Sequence, residues 1–311
     1  MATPARTSLF SRHRVGGLYV VEDSGVTTGN RWFVDSVNGA STNGGTGPDD
    51  ALATIDAAVG LCTASQGDII YVMPGHVETV NAASALDLDV AGIKVIGLGW
   101  GQNRPRIQFT TGATSTVEVN ADDIWIENLW FSADFTNGIT AGLDIKTGAD
   151  DFTCVNCDFR AEASTKEFLI AVTIEAVNAR QRFINCSFWE AAGDATAAIA
   201  TEGACDDLLI QGCFFDGTYT TAVIDIDAGT NVVVRPKIIN NVAYNTDTGA
   251  GLFCAIDSGT VGLFIGNRSG IGKANTVPVS DATASVFIDN LATDAAAISE
   301  LKYPATATAW A

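Results

Sequence analysis

Paired acidic residues recur through the middle of this 311-residue chain, at Asp122/Asp123, Asp150/Asp151, Asp206/Asp207 and Asp225/Asp227. Two carboxylates at a fixed separation can hydrolyse a glycosidic bond, and a cluster of oxygen ligands can bind calcium. Either site would need the carboxylates to converge in a groove beside a basic residue, for which Lys146, Arg160 and Lys166 are candidates. The alternative is that these residues shape exposed turns, because Asp side chains bond to nearby backbone N–H groups. We favour the turns and predict no catalytic residue here.

Cysteine and histidine offer little further chemistry. Cys154 and Cys157 form one C-x-x-C pair, but no second pair follows and the histidines are only His13 and His76. A structural zinc site needs four ligands, so we predict no metal and no cofactor. His76 directly follows a Pro-Gly turn and could act as a general base, but we expect it to pack within the turn.

The charge balance argues against two classes of partner. The chain has 17 basic and 36 acidic residues and a net charge of −19. Arg6, Arg12 and Arg14 give residues 1–20 a local charge of +3, which leaves −22 on the remainder. Such a body repels nucleic-acid phosphates and anionic lipid, so we predict neither as a partner. The sequence also contains no apolar run long enough to span a membrane and no apolar core of a signal peptide.

A repeat of 27–31 residues organises the chain and would have to position any site. It is seen in "IKVIGLGW" (93–100), "IWIENLWF" (124–131), "FTCVNCDF" (152–159), "QRFINCSF" (181–188) and "LLIQGCFF" (208–215). One aligned column is Leu98, Leu129, Cys157, Cys186 and Cys213, and another is Trp100, Phe131, Phe159, Phe188 and Phe215. Matching side chains at a near-constant period predict strands that lie directly above one another, with cysteine acting as a small apolar residue.

A third column marks the end of each aligned strand, with Gly97, Asn128, Asn156, Asn185 and Gly212. Asn and Gly tolerate the left-handed conformation of a sharp corner, and stacked Asn side chains can form hydrogen-bonded ladders. Asn267 and Asn290 continue this column in our alignment. A second short strand precedes each corner strand, so each coil has at least two strands and no helix.

These features predict an all-β chain folded as a single-stranded right-handed parallel β-helix, a solenoid of roughly eight coils and on the order of 40 Å in length. The segment 48–64 has apolar residues at helical spacing behind Asp49 and Asp50, which predicts one amphipathic helix that caps the open end. We assign residues 1–35 to an extended N-terminal docking arm, 36–66 to a loop and capping helix, 67–295 to the β-helix and 296–311 to a C-terminal cap or tail.

The stretch "FVDSVNGASTNGGTGPDDALATIDAAVGLCTASQGDIIYVMPG" (33–75) resembles the N-terminal signature of the pectate-lyase-like β-helix superfamily. That signature is an Asx/Gly-rich loop, a helix of the type F-x-T-I-x-x-A and a strand of the type G-D-x-I-x-V-x-P-G. This chain departs from it with Leu52-Ala53 where Phe often stands. The resemblance implies the fold. The hydrolase motifs of the superfamily appear only as "NTD" (245–247), "DD" (206–207) and "RPK" (235–237), out of order and without Gly-His-Gly, so we do not expect an enzyme.

The "VMPGHVETV" variant behind a small N-terminal arm is similar to virion proteins of tailed bacteriophages. This resemblance implies a virion structural protein, and we expect one that decorates or cements the capsid, assembled in the host cytoplasm. The major capsid protein would be its partner, contacted through Arg6, Phe10, Arg12 and Arg14, and a homotrimer would form through apolar sides of the coils. The alternative is a tailspike or fibre that binds or cleaves host polysaccharide.

Overall fold

The computed structural model of the chain describes residues 10–13, 19–21, 27–191, 193, 195–227, 232–249, 251–272, 279–280, 285–294 and 297–301. Strands are numbered in chain order. The first two, β1 (Phe10–His13) and β2 (Tyr19–Val21), pair as an antiparallel hairpin. In these described segments no helix is both long enough and apolar enough to cross a membrane.

Three parallel sheets contain most of the other described strands, and the first of them, sheet I, has ten strands. They are β3 (Arg31–Val34), β4 (Ile69–Val72), β7 (Lys94–Gly97), β10 (Trp125–Glu127), β13 (Thr153–Val155), β17 (Arg182–Ile184), β21 (Leu209–Gln211), β24 (Lys237–Ile239), β27 (Leu263–Ile265) and β29 (Val286–Ile288).

Sheet II follows sheet I in each coil and also has ten strands, of which the last is antiparallel. They are β5 (Val77–Val80), β8 (Arg106–Phe109), β11 (Trp130–Ala133), β14 (Asp158–Ala161), β18 (Ser187–Trp189), β22 (Phe214–Gly217), β25 (Val242–Asn245), β28 (Arg268–Ile271), β30 (Leu291–Asp294) and β31 (Ala297–Leu301).

Sheet III completes the coil with seven strands. They are β6 (Leu86–Leu88), β9 (Val117–Val119), β12 (Ile139–Ile145), β15 (Phe168–Ile174), β19 (Ala197–Thr201), β23 (Ala222–Ile226) and β26 (Leu252–Ile256). The short pair β16 (Asn178–Ala179) and β20 (Cys205–Asp206) lies in the turns between coils. Among the described residues, seven coils therefore contribute a strand to all three sheets, which confirms the predicted parallel β-helix.

Stacked aromatic rings fill the core behind sheet II. The ring centroids of Phe131 and Phe159 are 4.5 Å apart, those of Phe159 and Phe188 4.8 Å, and those of Phe188 and Phe215 4.9 Å, with planes within 10° of parallel. Since neighbouring strands lie about 4.8 Å apart, each ring rests on the ring of the coil before it.

Trp100 does not belong to this column, and its assignment there is wrong. Its side chain is 79% exposed, and the residue below Phe131 in the register is Ile107. The cause is an insertion in this coil, because a 3-10 helix (Gly101–Asn103) separates the corner from β8. The strand that carries Ile107 therefore starts nine residues after Gly97, whereas the corresponding strands of the later coils start two residues after the corner residue.

The second aligned column also lies in the core, with Leu129, Cys157, Cys186 and Cys213 buried and Leu98 half-buried. In later coils the same column holds Asn241, Asn267 and Asn290, which form a ladder. Asn241 Nδ2 donates to Asn267 Oδ1 over 3.0 Å, and Asn267 Nδ2 donates to Asn290 Oδ1 over 2.8 Å. Each of these side chains also donates to a backbone carbonyl of an earlier coil, so the buried amides have partners.

The corner between sheets I and II is left-handed at Asn128, Asn156 and Asn185, where φ lies between 51° and 58°. Gly212 follows in the same column, and a Cβ atom there would lie 2.4 Å from Asn185 Oδ1. Our assignment of Asn267 and Asn290 to this position is wrong by one residue. Asn240, Gly266 and Asp289 hold the left-handed conformation in those coils, with φ of 54°, 65° and 50°.

Replacing Asn156 by alanine is expected to lower the free energy of unfolding by about 1–2 kcal/mol, because alanine is strained at positive φ. The substitution Asn156→Gly should cost less, since glycine adopts this conformation freely. Urea denaturation of the two variants would check this. Equal losses for alanine and glycine would show that the side-chain hydrogen bond to Asn128 Oδ1, at 3.4 Å, matters more than the backbone.

The N-terminal cap differs from the predicted 17-residue helix. A 3-10 helix (Pro48–Asp50) is followed by the five-residue α1 (Ile55–Val59), whose N-cap is Thr54 rather than an aspartate. Ile55, Ala58 and Val59 are buried and join the core. Because β3 pairs in parallel with β4, sheet I begins inside the segment that we assigned to the arm, before residue 67.

Candidate functional site

Three of the four acidic pairs singled out in the sequence lie in the turns between coils, and arginines of neighbouring coils bind two of those pairs; Asp225 of the fourth pair lies in β23, so the turn prediction is wrong for it. Arg180 donates to both carboxylate oxygens of Asp151 at 2.7 and 2.6 Å, and to Asp150 at 3.1 Å. Arg235 binds Asp207 in the same two-pronged way at 3.0 and 2.7 Å. These bonds hold the pKa of Asp151 and of Asp207 below the ordinary value, so both carboxylates stay charged and paired. These ion pairs link the turns of successive coils.

The remaining acidic residues of those pairs also have local roles. Asp122 accepts a hydrogen bond from the backbone N–H of Asp150 at 2.9 Å. Asp123 holds a left-handed turn conformation with a φ of 57°. Burial raises the pKa of Asp225, which accepts from the backbone N–H of Asp227 at 3.2 Å.

Six of the seven cysteines and His76 are buried, and Cys62 is half-buried. Cys154 Sγ lies 3.6 Å from Cys186 Sγ of the next coil, and all seven cysteines are free thiols. His76 is fully buried, with Nε2 3.2 Å from a carboxylate oxygen of Glu78. That carboxylate also accepts from the backbone N–H of Ile55 at the start of α1, so His76 packs where the cap meets the first coil. Within the described ranges, no group of three or more His, Cys, Asp or Glu is placed to hold a metal ion.

The predicted docking residues are only partly within the described structure. Phe10 and Arg12 lie in β1, opposite Val21 and Val20 of β2. Arg6 and Arg14 lie outside the described residues. Contact with a capsid therefore stays a prediction.

A carboxylate column that the sequence interpretation missed runs up the outer face of sheet III. Asp87, Glu118 and Asp144 stand at paired positions of three successive strands. Lys146 Nζ lies 2.7 Å from Asp144, 2.9 Å from Glu175 and 3.8 Å from Glu118. Burial disfavours the ammonium ion, but the hydrogen bonds to Asp144 and Glu175 outweigh it and raise the pKa of Lys146. Lys146 is therefore protonated at neutral pH and does not serve as a general base.

A groove at the corner between sheets I and II has the most distinctive chemistry. Its volume is about 250 Å³, and we call it the aromatic–arginine groove; its lining consists of Trp100, Gly101, Gln102, Arg104, Trp130, Asp158 and Arg160. The exposed indole of Trp100 is brought here by the same insertion that removes it from the core. Trp130 and Arg160 lie on the outer face of sheet II, and Arg104 lies just before β8.

Asp158 holds the two arginines of the groove in place. Its Oδ2 accepts from Arg160 Nε at 2.7 Å and lies 2.6 Å from Arg160 Nη2 and 3.6 Å from Arg104 Nη1. Arg104 also donates to Asn128 Oδ1 at 2.9 Å and to the backbone carbonyl of Asn156 at 3.1 Å. Because Asp158 is only 4% exposed, its carboxylate fixes both guanidinium groups beside the groove that they line.

Trp130 is packed between Arg160 and one further cation, Arg106. The guanidinium carbon of Arg106 lies 3.8 Å from the ring centre of Trp130, and that of Arg160 lies 5.3 Å from it. Cation–aromatic contacts of this kind hold arginine side chains in a defined orientation. The groove is therefore a pre-arranged, locally basic site on a strongly acidic protein, with one exposed aromatic ring beside it.

Glu190 is a buried carboxyl group that directly follows β18, and we expect it to make the stability of the protein depend on pH. Burial, followed by the charge of Glu167, raises the pKa of Glu190 well above its ordinary value. The folded state thus holds this proton more tightly than the unfolded chain. The resulting stabilisation is fully present below the ordinary glutamate pKa of about 4.3 and is lost as the pH rises through the raised folded-state pKa.

The substitution Glu190→Gln is therefore expected to increase stability at neutral pH and to flatten the decline above pH 4. Denaturation midpoints of the native protein and the variant, measured from about pH 4 to pH 8, would check this. Glu202→Gln is the matched control, because Glu202 is exposed. Identical pH profiles for the native protein and the Glu190 variant would contradict the prediction.

Three of the groove residues, Trp130, Asp158 and Arg160, could have been found from the sequence by reading the aligned strands for their outward positions. Each ladder phenylalanine has an outward-facing residue on either side, because successive side chains of a strand alternate between faces. Those flanking residues are Trp130 and Ser132, Asp158 and Arg160, Ser187 and Trp189, and Phe214 and Asp216. Asp87, Glu118 and Asp144 likewise share the middle position of "LDL" (86–88), "VEV" (117–119) and "LDI" (143–145).

Comparisons with known proteins bear on the fold. No protein-family model matches the chain, and no curated protein matches it. A rhamnogalacturonan lyase has a similar structure, with a TM-score of 0.52 and 15% identity over 84% of this chain and 87% of the lyase. The pectin methylesterase of Aspergillus niger has a TM-score of 0.51 and 15% identity over 90% of this chain and 91% of the esterase.

A third similar structure is ORF18 of Geobacillus virus E2, with a TM-score of 0.37 and 15% identity over 78% of this chain and 58% of the viral protein. A similarity at that score supports no conclusion about role. The lyase and the esterase, at 15% identity, show the fold and not the activity. The chain therefore has the pectate-lyase-like parallel β-helix fold that its N-terminal signature implied.

Proposed function

We propose that this protein binds an acidic glycan in the aromatic–arginine groove and does not cleave it. The observation that carries the proposal is the pair of guanidinium groups, Arg104 and Arg160, fixed by the buried Asp158 beside the exposed indole of Trp100. A planar guanidinium forms two parallel hydrogen bonds to a carboxylate, sulfate or phosphate group. An exposed indole offers a flat apolar surface on which one face of a sugar ring can pack, and its N–H group can donate a hydrogen bond at the rim.

The size and the local charge of the groove fit this ligand. Its volume of about 250 Å³ is just below the usual range of small-molecule pockets, about 300–1,000 Å³, so it would hold one sugar unit and its acidic group. An acidic ligand is repelled by the net charge of −19, which makes a cluster of three arginines the favourable place for it to bind. Rhamnogalacturonan and pectin, which appear in the names of two similar structures, are polysaccharides, and this agrees with the proposal.

Binding is favoured over cleavage because the groove lacks the groups for catalysis. Hydrolysis requires two carboxyl groups about 5–9.5 Å apart, one of them protonated. Asp158 is the single carboxylate among the described lining residues, and two arginines occupy its Oδ2 atom. Elimination requires a base in its unprotonated form, whereas the basic lining residues are arginines, which stay protonated in proteins and are paired with Asp158.

The experiment is to test the full-length protein on an array of neutral, carboxylated and sulfated glycans, with titration calorimetry of the strongest ligand. We expect acidic glycans to bind and the affinity to fall with added salt, as ionic contacts are screened. Equal affinity for neutral and acidic glycans, or no glycan binding at all, would overturn the proposal. New reducing ends or unsaturated sugars after incubation would overturn the part that excludes cleavage.

Our second proposal is that the protein is a structural component of a phage virion. Within that proposal, a glycan-binding site favours a fibre or tailspike over a capsid decoration protein. A decorating protein should bind intact capsids through residues 1–30. Co-sedimentation with purified phage heads, with and without that segment, would separate the two roles.

The homotrimer is a further proposal that analytical ultracentrifugation would test.

A further inference from the structure

Aromatic side chains continue up the outer face of sheet II beyond the groove. Trp189 is 40% exposed, and its ring centre lies 4.8 Å from that of Phe214 in the next coil. Phe214 in turn lies 6.2 Å from Tyr244, which is 50% exposed. Three successive strands, β18, β22 and β25, therefore present neighbouring aromatic rings to solvent.

This upper series is joined to the groove through one arginine. The guanidinium carbon of Arg160 lies 5.3 Å from the ring centre of Trp130 and 5.9 Å from that of Trp189. Arg106 covers the lower side of Trp130. Together the side chains form one outer track along six consecutive strands of sheet II, from β8 to β25: Arg106, Trp130, Arg160, Trp189, Phe214 and Tyr244.

From this continuity we infer that the ligand is a linear polysaccharide that lies along the stacking direction of the coils, over the whole outer track. This inference rests on the proposed function. Six strands about 4.8 Å apart give a track of about 24 Å, far longer than one sugar unit. The rise per coil is close to the length of a pyranose unit, so successive units would meet successive coils.

The two ends of the track would recognise different parts of the polymer. Arg104, Arg106 and Arg160 make the lower end basic, so that end would take acidic groups. The upper end carries the rings of Trp189, Phe214 and Tyr244. Asp216, on the outer side of β22, disfavours an acidic group there and can accept a hydrogen bond from a sugar hydroxyl. The polymer would therefore bind with a fixed direction.

The test uses the strongest glycan of the array, cut to fragments of about two, four and six units so that they span part or all of the six strands. We expect each lengthening to tighten binding to the full-length protein by about fivefold to tenfold, as added aromatic contacts are made. Tyr244→Ala should remove the gain of the longest fragment and leave the shortest unaffected. Tyr71→Ala is the control, because Tyr71 is a half-buried tyrosine on the outer face of sheet I.

The outcomes separate this inference from the proposed function. If fragments of all lengths bind equally, or if Tyr244→Ala has no effect on the longest, the track is wrong while glycan binding in the groove stands. If no glycan binds, both fail. Tighter binding of a single-stranded oligodeoxynucleotide than of any glycan would also overturn both, because arginines and exposed rings are the recognition elements of single strands as well.

Discussion

The substitution Phe188→Ala is expected to lower the free energy of unfolding by about 3–5 kcal/mol, the cost of emptying a closed aromatic site in a core. The Phe188 ring is fully buried and stacks on Phe159 at 4.8 Å and on Phe215 at 4.9 Å. Removing the Phe188 ring leaves both Phe159 and Phe215 without a stacking contact on that side. The coils on either side cannot close the gap, because the backbone hydrogen bonds of β14, β18 and β22 fix their spacing.

Trp189→Ala provides the matched control, since Trp189 is the next residue of the same strand and faces outward. We expect it to cost about 1 kcal/mol, because it loses the contacts with Phe214 and Arg160 but leaves no closed cavity. Guanidinium denaturation followed by far-ultraviolet circular dichroism would measure both. A loss for Phe188→Ala as small as that for Trp189→Ala would show that the ladder does not carry the stability of these coils.

The substitution Arg160→Ala is expected to weaken glycan binding by about 10- to 100-fold, which corresponds to the loss of a charged hydrogen-bonding pair worth about 1.5–3 kcal/mol. Arg160 both lines the groove and links Trp130 to Trp189, so its loss affects the charge of the site and the order of the track. Arg160→Lys should recover part of the affinity, because lysine keeps the charge but cannot form the two-pronged contact.

Arg180→Ala is the control for this substitution. The Arg180 side chain is 45% exposed, as against 46% for Arg160, and it too binds an aspartate, but it lies in the turns between sheets III and I. Titration calorimetry with the same glycan should give native affinity for this variant. An equal loss for both variants would mean that overall charge, and not the groove, governs binding.

Much of the architecture could be predicted from the repeat. The aligned columns placed Phe131, Phe159, Phe188 and Phe215 at one position, and these rings stack in the structure. Such a prediction succeeds because each coil contacts mainly its neighbours, so a period in sequence becomes a direct contact in space. The prediction was wrong where the period changed. The insertion before β8 places Trp100 outside the core. Asn267 and Asn290 were assigned to the corner, but the corner residues are Gly266 and Asp289, one position earlier, and the two asparagines belong to the buried ladder.

The coil follows from the repeat, because apolar alternation, left-handed corner residues and a constant period act locally and recur. The site depends on how the coils wind over one another. Arg104 comes from an inserted segment, Asp158 and Arg160 from the coil after the next, and Trp189 from the coil after that. Arg104 and Asp158 are 54 positions apart, and Arg160 and Trp189 are 29 apart, so these side chains become neighbours only when the winding fixes which coil lies on which. The outward positions of the repeat include Asp158 and Arg160, but no alignment places Arg104, because the insertion before β8 interrupts the repeat there.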